Sequence, residues 1–131
     1  MKRSLLLFIC AFMVLSANAN VVTGHCGKYL SDSLYWAFDT SSGVLTITGD
    51  GEMKDFQGSH NSFTYKYTYN TPWYDYRKDI KIVNLPPDLP NIGDYAFYEC
   101  IQLTAITLPN NLRVIGNSAF NGAHLSSINI P

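Results

Sequence analysis

The chain is short of charge. Asp, Glu, Lys and Arg together make up 15% of its 131 residues, against 47% hydrophobic residues. That balance excludes a disordered chain and fits one compact folded unit. Cations are scarce in particular. Removing Lys2 and Arg3 with the N-terminal leader described below leaves seven basic residues against ten acidic ones, a net charge of −3. No basic stripe exists to neutralise phosphates, which argues against nucleic-acid binding, and no polybasic patch faces an anionic membrane. Cysteine is scarce as well. Of three, Cys10 falls in the leader, and Leu7-Phe8-Ile9 before it lacks the small residue that lipid attachment requires. Cys26 and Cys100 remain, and they either pair or sit apart as two buried thiols acting as small hydrophobes. With His25, His60 and His124 scattered, no zinc-ligand spacing emerges. No cofactor is expected.

Catalytic signatures are absent too. The sequence holds no Gly-x-Ser-x-Gly, no His-Glu-x-x-His, no phosphate-binding glycine loop and no Asp-x-Asp-x-Asp-Gly calcium loop. Gly49-Asp50-Gly51-Glu52 reads as a turn. Asp75 and Asp79 around Arg77 and Lys78 read as a solvated mixed-charge face, with nothing to hold two acids across a cleft. The expectation is a non-enzyme.

One long apolar run is present, Leu5 to Leu15, behind Met1-Lys2-Arg3-Ser4 and ahead of Ser16-Ala17-Asn18-Ala19. A basic start, a short apolar core and an Ala-x-Ala ending describe a secretory signal peptide over residues 1–19, cut after Ala19. The run is too short for the roughly 20 residues of a spanning helix. A secreted or cell-surface protein is expected.

The second half of the chain repeats itself. A shift of 23 residues carries Ile80, Val83, Leu85 and Pro86 onto Leu103, Ile106, Leu108 and Pro109, and Leu89, Ile92 and Phe97 onto Leu112, Ile115 and Phe120. A last copy, Leu125-x-x-Ile128-x-Ile130-Pro131, follows with one residue fewer. The period lies in the range of leucine-rich repeats. Alternation around Val83, Ile106 and Ile128 predicts three short strands with one buried face. The following prolines end the ladders. Gly93 and Gly116 are expected in tight turns with unusual dihedrals. Asp94 and Asn117 are expected to N-cap a short helical turn carrying Ala96-Phe97 and Ala119-Phe120 inward.

The run "IGDYAFYECIQLTAITLPNNLRVIGNSAF" resembles the BspA-like, Treponema-pallidum-type leucine-rich repeats of bacterial surface proteins. The resemblance covers roughly residues 80–131. Ala123, with a shortened loop, stands where the family carries Cys and two more residues. Cys26-Gly27, Trp36, Gly43 to Met53 and Pro72-Trp73 are similar to what precedes such repeats. The resemblance implies a solenoid of short strands and short helical turns, mostly β with minor α, and protein–protein or adhesive interactions at a surface.

Residues 20–79 are expected to form a β-rich N-terminal cap, and residues 80–131 the repeats in three strand copies. Leu34–Phe38 and Val44–Thr48 predict a hairpin around the loop Asp39–Gly43. Trp36 and Trp73 should pack over Ile80, although large aromatics can also stack on sugars. Within the cap lies an aromatic insert, residues 54–71. There Phe63, Tyr65, Tyr67 and Tyr69 alternate with polar residues, as in a strand with one aromatic face. That face either packs on the cap hairpin or forms an exposed ledge, and these four residues are the candidate ligand contacts. The partner is a protein, or alternatively a glycan held by a carbohydrate-binding aromatic face. Small polar residues dominate the outward strand positions, with no Trp, Tyr or Arg cluster. With no C-terminal cap in the sequence, Leu125, Ile128 and Ile130 suggest self-association through the last copy, or else a truncated member of a longer family.

Overall fold

The structure, a computed structural model, describes residues 20–130; residues 1–19, the expected signal peptide, and Pro131 lie outside the described residues. Ten short strands build it: β1 (Val21–His25), β2 (Tyr35–Asp39), β3 (Val44–Thr48), β4 (Gly58–Asn61), β5 (Lys66–Tyr69), β6 (Ile82–Asn84), β7 (Asn91–Ile92), β8 (Ala105–Thr107), β9 (Val114–Ile115) and β10 (Ser127–Asn129). Among the described residues the one helical element is a 3₁₀ turn, Tyr74–Tyr76. The short helical turns expected after Gly93 and Gly116 are not helices. They are runs of successive turns.

The expected hairpin forms as β2 and β3, antiparallel, with Asp39 opposite Val44. Asp39 therefore belongs to the strand, and its carboxylate accepts the Ser41 N–H at 2.9 Å and the Ser41 hydroxyl at 2.6 Å, which fixes the turn. These local bonds hold the Asp39 carboxyl below its ordinary range. β1, which the sequence pattern did not indicate, pairs antiparallel with β2. The other side of β3 pairs in parallel with β6, Val44 opposite Ile82, so one sheet in the order β1-β2-β3-β6 joins the N-terminal half to the first repeat strand. Trp36, Phe38, Leu45 and Ile47 point from it into the core.

Further on, like stacks on like. β7 pairs in parallel with β9, Ile92 opposite Ile115, and β8 with β10, Ile106 opposite Ile128. The Leu108 N–H still reaches the Asn129 carbonyl at 3.2 Å before Pro109 ends that ladder. Trp73, Phe97 and Phe120 stack as a column, with centroids 6.0 and 5.4 Å apart and both pairs tilted by 22°. The Trp73 indole N–H donates to the Ala96 carbonyl at 2.7 Å. Leu89, Ile92, Ala96, Cys100 and Leu103 complete the buried layer. Cys26 and Cys100 are separate buried thiols, and burial pushes both up to about 12.

Two roles expected of the repeat motif need correction. Asp94 does not cap its own turn. Its Oδ1 accepts the Asn117 N–H of the following copy at 2.7 Å, while its own N–H donates to Asp55 Oδ1 at 3.0 Å. Asp55, Asp94 and Asn117 thus form a ladder between copies. Gly93 and Gly116 are not among the glycines at positive φ. They are glycines because the neighbouring backbone lies against them: a Cβ on Gly93 would come within 1.9 Å of the Lys54 carbonyl oxygen, and one on Gly116 within 2.5 Å of the Asp94 nitrogen. The positive φ falls two residues later, at Tyr95 and Ser118.

Candidate functional site

The aromatic insert is a hairpin, not one continuous strand. β4 and β5 run antiparallel, His60 opposite Tyr67 and Gly58 opposite Tyr69. The turn arises from Asn61, whose side-chain oxygen accepts the N–H groups of Phe63 and Thr64 at 2.9 and 3.1 Å. Phe63 and Tyr65 therefore sit in the turn, Tyr65 at φ +51°, and only Tyr67 and Tyr69 lie on a strand. At the base, Asn70 holds the strands together: its Oδ1 accepts the Gln57 N–H at 2.7 Å, and its own N–H donates to the Gln57 carbonyl.

The four candidate contacts divide. Phe63, Tyr65 and Tyr67 are 94%, 83% and 58% exposed, so packing on the cap hairpin does not describe them. Tyr69 turns inward instead. Its ring packs on Tyr98 (4.4 Å), Tyr95 (4.9 Å) and Tyr74 (5.6 Å), binding the hairpin base to the first repeat copy. Burial, and then the neighbouring Tyr98, raise the Tyr69 phenol above its ordinary range. Gly58 makes room for that ring, since a Cβ there would meet Tyr69 Cε1 at 2.6 Å. Sequence reasoning missed His60, whose ring lies 4.6 Å from Tyr67 and 6.4 Å from Tyr65. Its signal was the pairing register, which becomes visible once Asn61 is read as a turn former. The guanidinium of Arg77, 3.8 Å over the Tyr74 ring and 3.3 Å from Glu99, also joins the cluster at the base.

A second surface is the outer face of β6, β8 and β10. Ile82, Asn84, Thr104, Ala105, Thr107, Ser127 and Asn129 line an open depression across it. Its floor is Val83 and Ile106, nearly covered, and apart from Lys81, Ile82 and Ile128 its outward side chains are small. Trp36 and Trp73 contribute to neither surface. They are buried against one another at 5.8 Å, which removes them as sugar-stacking platforms.

Comparison with known proteins agrees with the stacked copies. Residues 69–131 match the family described as BspA type leucine rich repeat region (6 copies). A crystal structure of a leucine-rich repeat protein from Eubacterium ventriosum ATCC 27560 superposes with a TM-score of 0.62 at 28% identity, over 83% of this chain. The chain spans 26% of the length of that protein. No curated protein matches the chain. The ladder between copies, the aromatic column and the family match agree, and residues 69–131 are similar to the BspA-type leucine-rich repeats in sequence and in the stacking of their copies.

Proposed function

We propose that the chain is an exported, non-catalytic adhesion module that engages a protein partner through the strand face of its repeats. In this reading residues 80–131 form a solenoid and residues 20–79 close its N-terminal end. The basic-then-apolar start supports export. The observation that carries the reading is the strand face itself. Ile82 is half exposed at the start of β6, and Asn84, Thr104, Thr107 and Asn129 supply hydrogen-bonding groups across the rest of the face. One exposed apolar side chain beside a row of hydrogen-bonding groups, held on strands, suits recognition of a folded surface. Self-association through β10 belongs to the same reading, because Ile128 and Ile130 stay exposed. Light scattering that shows only monomer removes that part.

The test places bulk and charge on the face. Asn84→Arg with Thr107→Arg should weaken binding of the mature protein to cultured cell surfaces and immobilised matrix proteins about tenfold or more, the scale of a lost interface centre. Asp50→Arg, on an exposed turn away from that face, should leave binding unchanged. Equal binding by all three proteins would remove the strand face from the function.

A further inference from the structure

The hairpin β4–β5 is a separate surface, and its chemistry differs from that of the strand face. Its two strands pair only with each other, and one ring, Tyr69, ties it to the body. Along it the exposed rings follow an order. Phe63, with no polar atom on its side chain, is outermost and 94% exposed; Tyr65 and Tyr67 follow at 83% and 58%; Tyr69 is half-buried at the base. The opposite register positions, Ser59, Asn61 and Thr68, are polar. Charge is asymmetric too. None of the chain's ten acidic residues falls between Phe56 and Tyr74, a stretch that contains His60 and Lys66.

We propose that this hairpin inserts its tip into the water–lipid boundary of a bilayer. A purely apolar ring at the apex, phenols behind it and no carboxylate nearby match the depth profile of that boundary: hydrocarbon first, then the headgroup layer where tyrosine hydroxyls find partners. A convex tip suits lipid better than a protein hot spot, which needs a desolvated pocket around each ring. It also suits lipid better than a sugar platform, whose outermost ring needs hydrogen-bonding groups beside it to fix the hydroxyls. With so few cations, attachment comes from ring burial, so salt weakens it little. The Tyr69 cluster and Gly58 hold the tip in a fixed orientation, which leaves the strand face free while the tip is inserted.

The experiment uses the mature protein with vesicles of phosphatidylcholine, with and without phosphatidylserine. Trp36 and Trp73 are buried, so a Phe63→Trp variant reports on the tip. Its emission should shift to the blue and the protein should sediment with both kinds of vesicle, in low and high salt. Each ring replaced by serine at Phe63, Tyr65 and Tyr67 should weaken sedimentation by about tenfold, with melting curves unchanged. Combining the three replacements should abolish sedimentation; should that triple variant misfold, the single Phe63→Ser variant at the most exposed position reads the same effect. Failure to sediment with either vesicle, vesicle binding that survives removal of the rings, or an emission change produced only by a glycan or a purified protein would each overturn the proposal. The strand-face variants above leave this result untouched, so the two readings fail separately.

Discussion

Two sets of aromatic rings, drawn from neighbouring stretches of the chain, meet opposite fates. Trp73, Phe97 and Phe120 form a covered column, whereas Phe63, Tyr65 and Tyr67 stand in solvent. Hydrophobicity does not separate them, since Phe occurs in both. Position does. Phe97 and Phe120 occupy one repeated place, each with a ring stacked on it, and Trp73 lies over Phe97 from the position that matches Ala96, while a ring on an isolated two-stranded hairpin has only the opposite strand. Burial here follows from repetition, and the insert escapes it by interrupting the pattern.

The sharpest way to break this contrast is to remove one ring from each set. Phe97→Ala should cost about 3–5 kcal/mol, lowering both the melting temperature and the denaturant midpoint, because it opens a cavity inside the column. Next in size is Gly93→Ala, which drives a methyl into the Lys54 carbonyl and should cost about 3 kcal/mol. Gly58→Ala meets only the edge of the movable Tyr69 ring and should cost far less; parity between the two in chemical denaturation would contradict the assignment of Gly93 to backbone approach.

The buried thiols sharpen the contrast through pH. Their folded-state values lie near 12 against an ordinary value of 9.0, so the folded protein keeps protons that the unfolded chain gives up. The associated stability is complete below pH 9 and falls between pH 9 and 12, by about 1–1.5 kcal/mol per thiol at pH 10. Urea titrations from pH 7 to 11 should show this decline. Cys100→Ala, compared with its own value at pH 7, should decline less steeply. A smaller and local effect belongs to Tyr69→Ala. Amide exchange across residues 58–69 should accelerate while the strands β7 and β9 keep their protection. Smallest of all, Phe63→Ala should change stability by less than about 0.5 kcal/mol.

How much of this was legible in the sequence differs between the same regions. The copies at Val83, Ile106 and Ile128 were legible because alternation and offset reinforce one another, and the pairings of β7 with β9 and β8 with β10 join the copies that the offset relates. The roles of Gly93 and Asp94 were not, because a glycine needed for dihedral freedom and one needed for close approach look alike until the neighbour is in place. Only the stacking of Lys54 on Gly93, and of Asn117 on Asp94, decides them. In the insert, alternating aromatics imitate a strand, and the turn-forming Asn61 does not stand out among the polar residues around it. β1 escaped notice because Val21–His25 contains Gly24, which strand patterns disfavour; here it lies under the Trp36 ring, with Nε1 2.6 Å from where a Cβ would stand. The four candidate contacts look alike in the sequence, but exposure depends on the turn, and the turn separates Tyr69 from the others.

The left-handed residues carry a consequence for engineering. Glu99 holds φ +55°, and the matching place in the next copy belongs to Gly122 at φ +80°. One copy meets the same backbone demand with the residue suited to it, the other with a carboxylate that reaches Arg77 at 3.3 Å. A non-glycine residue in that region costs about 1–2 kcal/mol, and a partly exposed ion pair returns less than that. The chain therefore keeps a reserve of stability at position 99. A designer lengthening or hardening these repeats could release it with a single glycine, at the expense of the ion pair with Arg77, whose guanidinium would still donate to the Tyr74 carbonyl.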